Sequence, residues 1–260
     1  MVSSFTIAAI AISLLISAGT PIILCIIFKK KFQISFKVLF IGVLTFIVFA
    51  QILEGLVHSY FLMVNDSTKA LLENVWLFML YGGFMAGIFE ETGRWMMMKY
   101  ALKKYREWKD GLTFGLGHGG IEAIMIVGIN SVITLVLAVM INQGAYHSLF
   151  TGETAAAMAP LYEQLTALPA YMHLFAGFER LGALTIHIGL SILVLYGIKT
   201  GKKRFLFYAI LIHAVLDFPA ALYQKGIISI FVVEGYLLLL AAAFVIWIVK
   251  SRRLFISKER

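Results

Sequence analysis

Residues 181–204 read LGALTIHIGLSILVLYGIKTGKKR, an apolar run interrupted by His187 and closed by Lys199, Lys202, Lys203 and Arg204. About 20 such residues span the hydrocarbon core of a bilayer as a helix, and a basic cluster at one end marks the cytoplasmic side. The pattern recurs along the chain. Seven apolar stretches of adequate length lie near 4–28, 38–64, 76–98, 111–141, 173–198, 205–223 and 227–249. The segments Lys29–Lys37, Lys99–Lys109, Lys199–Arg204 and Lys250–Arg260 hold 4, 5, 4 and 5 of the 22 Lys and Arg residues. The alternate loops carry only Lys69 and Lys225, and the 142–172 loop carries none. This asymmetry predicts an all-α, polytopic membrane helical bundle with seven transmembrane helices, the N-terminus outside and the C-terminus cytoplasmic.

Composition excludes the other classes. Of the 260 residues 61% are hydrophobic and 14% charged, against about 25% charged in a soluble domain, and mean hydropathy is +0.90. The net charge of +8 does not point to nucleic acid, because the basic residues punctuate apolar runs instead of forming a patch. The single Cys25 lies in an apolar run and reads as a small hydrophobe. The first apolar run is too long for a signal peptide and lacks a basic leader. With no internal repeat, residues 1–260 read as one integral membrane domain. The 142–172 loop, with Gly144, Gly152, Pro160 and Pro169, is expected to be either re-entrant or an interfacial helix.

Half of the 14 acidic residues fall inside the apolar stretches: Glu54, Glu90, Glu91, Glu122, Glu179, Asp217 and Glu234. His58, His118, His187, His213, Arg94 and Arg180 join them. A charged group at the bilayer centre costs about 2.5–3.5 kcal/mol on insertion scales, so such residues face the bundle interior and mark function. At about 1.5 Å per residue, Glu90, Glu91, His118, Glu122, His187, His213 and Asp217 lie about 10–20 Å from the basic boundary of their helices. Four helices therefore place acids and histidines at one depth, in the cytoplasmic half. Glu54, His58, Glu179, Arg180 and Glu234 lie further out and read as structural, Glu179 and Arg180 each able to pair across helices, for instance with Glu54 or His58, and Arg180, seven residues before His187 on the same face, able to support the site. The Met96-Met97-Met98 run reads as lipid-facing bulk.

Spacing within the inner group is informative. Glu90 and Arg94, His118 and Glu122, and His213 and Asp217 are each i, i+4 and share a helix face. A His beside a carboxylate suits general acid–base work or metal ligation. Two adjacent glutamates beside an arginine suit a division of labour, in which one is held as an ion pair and the other acts on water. Glycines at 82, 83, 87, 115, 117, 119 and 120 surround these residues and let helices approach closely.

The motifs Glu90-Glu91-x-x-Arg94, Phe114-x-x-x-His118-Gly119-Gly120-x-Glu122, His187 and His213-x-x-x-Asp217, within about 76–223, resemble the membrane-embedded protease superfamily of CAAX prenyl proteases, CPBP proteins and PrsW. Over the whole chain the resemblance is to the YhfC family of intramembrane metalloproteases. Arg94 stands one position closer to the glutamates than in CAAX proteases, and Asp217 replaces their terminal Asn. The resemblance implies a peptidase of the bacterial cell membrane that acts on a membrane-associated or transmembrane protein. Glu90 or Glu91 would activate water with His118, Arg94 would hold the other glutamate, and Glu122 would orient His118. His213 and Asp217, with His187, would stabilise the oxyanion. A metal variant makes His118, His187 and His213, with a carboxylate, ligands of one Zn²⁺. The other classes consistent with these buried groups are a non-catalytic membrane scaffold and a proton-coupled transporter, although the repeats common in transporters are absent.

Overall fold

A computed structural model describes residues 1–256, which include the basic tail only as far as Arg253; Lys258 and Arg260 lie outside the described residues. The described residues form helices and no strands. The principal helices are α1 (Ser4–Phe32), α2 (Phe36–Val64), α3 (Val75–Met96), α4 (Trp108–Asn142), α5 (Gly152–Ala167), α6 (Ala170–Lys199), α7 (Arg204–Gln224) and α8 (Ile230–Phe255). Six of them, all but α3 and α5, are long and apolar enough to cross a membrane. The 22 residues of α3 measure about 33 Å, but this helix carries Glu90, Glu91 and Arg94. The 142–172 segment folds as a Tyr146–Leu149 turn followed by α5, whose start is closed by a capping box between Thr151 and Thr154.

The chain divides into two compact units, Met1–Ile23 with Glu122–Leu181, and Leu24–Ile121 with Gly182 onward. In the first, the start of α1 packs on α4, with Ile10, Leu137, Ala138, Ile141, Tyr146 and Leu165 at its core. Asn142 clamps the N-terminus, accepting from the Val2 N–H at 2.7 Å and donating to its carbonyl at 3.0 Å. Ser13 donates to the backbone carbonyl of His173, whose ring is buried.

The second unit is built around the Gly182–Lys199 part of α6. Of the apolar stretch of α6, 67% is buried, against 0% for α8, so α6 forms the core and α8 presents Leu238, Leu239 and Val249 outward, as lipid contact requires. Phe114, Leu116, Leu190, Ile192 and Val194 fill this core, and Met98 joins them at 1% exposure. The methionine run is therefore not uniformly lipid-facing bulk, because its third residue points inward.

Close approach of backbones positions the site. A Cβ on Gly115 of α4 would lie 2.4 Å from Ile188 Cα and 2.7 Å from the His187 carbonyl, and one on Gly83 of α3 would meet the Ala214 carbonyl of α7 at 2.5 Å. The obstructing atoms are backbone, which cannot rotate away. Gly115→Ala is therefore expected to cost about 1–3 kcal/mol through overpacking, read as a lower unfolding midpoint in detergent; an unchanged midpoint would contradict the close contact. In α7, Pro219 cannot donate to the Val215 carbonyl, and the Tyr236 hydroxyl of α8 donates to it instead at 3.1 Å.

Candidate functional site

The site lies in the second unit, where α3, α4, α6 and α7 each bring one part of it. On α3, one helical turn separates Glu90 and Glu91 from Arg94. Glu91 and Arg94 are both 0% exposed, and their side chains meet at 3.3 Å. The Nδ1–H of His213, from α7, donates to Glu91 at 2.7 Å. Glu91 is thus a buried carboxylate with a paired cation and a hydrogen-bond donor, as a charge in an apolar interior requires.

Glu90 is placed differently. Its Oε2 lies 2.9 Å from His118 Nε2, 3.8 Å from His187 Nδ1, 3.9 Å from His213 Nε2 and 3.9 Å from Arg94 Nη2. Three imidazoles from three helices therefore surround one carboxylate. The rings of His118 and His187 have centroids 4.9 Å apart, and those of His187 and His213 5.5 Å. Arg94 orients the middle ring, donating from Nη2 to His187 Nδ1 at 2.9 Å and from Nη1 to the His187 carbonyl at 3.3 Å. Because Arg is only a donor, this contact puts the proton of neutral His187 on Nε2. Asp217 reaches His213 Nε2 at 3.5 Å from the more open side of the site, its side chain 41% exposed.

Of the expected site residues, Glu90, Glu91, Arg94, His118, His187, His213 and Asp217 come together. Glu122 belongs to the first unit, where it accepts from Arg180 at 2.8 Å. Arg180 also pairs with Glu179. Arg180 thus pairs across helices with Glu122 as well as with its neighbour in sequence. Glu54 meets His58, one turn away on its own helix, at 3.0 Å.

The expected metal set is three histidines with a carboxylate. The donors that cluster most tightly are Glu90, His118 and His187, with ligand atoms all within 4.8 Å of one another. Two imidazoles and a carboxylate, all buried, suit a catalytic zinc site that keeps a position open for water. By donor type the residues present fit the ion, with His187 as a ligand once its Nδ1 is released from Arg94.

Two residues that frame the site gave no signal in the sequence. The Phe46 ring of α2 packs edge-on against His118 at 5.4 Å, and Gly42 lets α2 approach the Phe114 carbonyl and the His118 amide closely. Both occur in apolar runs where Phe and Gly are unexceptional.

A family described as YhfC intramembrane metalloprotease matches residues 12–237. The chain belongs to that family. A relative from Bacillus subtilis (strain 168), "Uncharacterized membrane protein YhfC", is 47% identical over 257 residues, covering 98% of this chain and 100% of the relative. No solved structure matches. The YhfC match covers all of α3 and α4, with α6 and α7, and so takes in every residue of the site.

Proposed function

We propose that this YhfC protein is an intramembrane protease that hydrolyses a peptide bond of a membrane-associated substrate at Glu90, from the cytoplasmic half of a bacterial membrane. The observation that carries the reading is Glu90 itself, a buried carboxylate 2.9 Å from His118 and within 4 Å of two further imidazoles. A packing role would not need four ionisable groups at one point in an apolar interior. The charge pattern supports seven spans with the N-terminus outside, α3 being the seventh.

In this reading the work is divided between the two glutamates. Glu91, locked between Arg94 and His213, keeps the buried arginine paired and holds α3 and α7 in register. Glu90 and His118 move the proton of the attacking water. Arg94 fixes His187 with Nε2–H as its donor. His213 in its doubly protonated form, with Nδ1–H on Glu91, offers the Nε2–H beside Asp217 as a second donor to the oxyanion that forms as the carbonyl carbon becomes tetrahedral.

In a metal variant, which would replace Glu90 as the base, Zn²⁺ would be held by Glu90, His118 and His187, and His187 would give up its Nδ1 contact with Arg94 to free a ring nitrogen for the ion. When bound, it supplies a Lewis acid that acidifies water and polarises the scissile carbonyl. The purified protein is expected to carry about one zinc per chain, lost in His118→Ala, by elemental analysis. Cleavage by a preparation free of metal would remove the ion from the reading and leave Glu90 as the base.

A further inference from the structure

A cavity of about 330 Å³ lies within the first unit, among α1, α4, α5 and α6, a volume at the lower end of the range of ligand pockets. Its polar wall consists of Ser13 of α1, Asn130, Ser131 and Thr134 of α4, Gln164 of α5 and His173 of α6. Three of these helices, α1, α4 and α6, are long and apolar enough to cross a membrane, where a hydrogen-bonding group without a partner costs free energy. Some of the wall is already engaged. Ser13 donates to the His173 carbonyl, Thr134 to the Asn130 carbonyl, and the Asn130 amide to the Ile126 carbonyl. The rest is open. The side chains of buried Ser131 and of Gln164 have no hydrogen-bond partner among the described residues, and neither has the buried Nε2 of His173. Polar groups left open in this way call for a ligand or ordered water. No Asp, Glu, Lys or Arg lines the cavity, so a phosphate or ammonium group held there would be a charge without a counter-ion. Uncharged hydroxyls, which both donate and accept, suit the wall. Ile126 and Ile133 of α4 line the same cavity and are 41% and 47% exposed. Polar groups and lipid-facing apolar groups thus share one cavity, a division that fits an amphiphile.

We propose that this cavity binds a neutral lipid whose headgroup is a set of hydroxyls, a glycerol or a sugar, with its acyl chain along Ile126 and Ile133. Ser131 and Gln164 hydrogen-bond the hydroxyls, and Asn130 accepts from them through Oδ1. Held in this way, the lipid joins α5 to α4 within the first unit. Its binding needs no chemistry at Glu90.

The test places the full chain in phosphatidylcholine nanodiscs that also hold a diacylglycerol, a monoglycosyl diacylglycerol or phosphatidylglycerol. Lipid retained after release into detergent is counted by native mass spectrometry. About one neutral lipid per chain is expected, with a raised unfolding midpoint, because a ligand that binds only the folded state stabilises it. Which of the two neutral lipids is retained tells glycerol from sugar. Phosphatidylglycerol carries a glycerol headgroup on a phosphate, so its retention should be lower by about 10-fold or more. Ser131→Leu fills the cavity and removes the open hydroxyl, and should weaken retention of the neutral lipid by about 10-fold. Gln164→Leu, at an exposed position of α5, makes the same test if Ser131→Leu does not fold. Equal retention of all three lipids, or retention undiminished in the folded variant, overturns the proposal. So does retention of none, the cavity then holding water only.

Discussion

Glu90→Gln is expected to lower peptide-bond cleavage by about 10³-fold, the range for removal of a general acid–base group, without loss of the folded protein. The amide fills the same volume and still reaches His118, so packing around α3 and α4 changes little. It neither takes a proton from water nor serves as an anionic ligand. Glu91→Gln should behave differently, although the two residues are neighbours. That change leaves Arg94, at 0% exposure, facing a neutral amide at the 3.3 Å contact, so stability falls together with activity. Purified variants compared for cleavage and for unfolding midpoint separate the two cases. Full-rate cleavage by folded Glu90→Gln would remove Glu90 from the chemistry.

The largest expected effect on stability is at Arg94. Its guanidinium joins Glu91, His187 Nδ1 and the His187 carbonyl, so a single side chain ties α3 to α6. Arg94→Met retains much of the side-chain volume but leaves the Glu91 carboxylate buried without its cation. Breaking a buried pair from one side costs about 3–5 kcal/mol, read as a large drop in unfolding midpoint in detergent. Arg94→Lys should fall between, because an ammonium group cannot serve carboxylate and imidazole with a fixed fork. The double variant Glu91→Gln with Arg94→Met should recover part of the loss, since no uncompensated charge remains. A loss below about 1 kcal/mol, the scale of an exposed pair, would contradict the tie.

How far the sequence carries the fold and the site follows from the type of information each needs. Apolar runs bounded by basic clusters are local, and six of the seven expected spans are matched by helices of sufficient length and apolarity. The common depth of Glu90, His118, His187 and His213 was also legible, because helical rise converts residue counts into height. Partners across helices were not. Nothing in the spacing of Glu122 or Arg180 indicates that they pair, since that depends on how their helices face each other. The two glutamates could not be told apart for the same reason. Only the packed helices show that His213 and Arg94 hold Glu91, and that His118 meets Glu90. Glu54 was visible as a buried acid, but spacing alone does not show that the His58 ring beside it meets the Tyr81 hydroxyl of α3.

The central claim is that Glu90 cuts peptide bonds of membrane proteins. Its most direct test is to identify new protein N-termini by mass spectrometry in membranes from cells expressing wild type or Glu90→Gln at equal level. Wild type should yield N-termini within or beside apolar segments that are missing with Glu90→Gln. Identical sets of N-termini from the two membranes would contradict the claim.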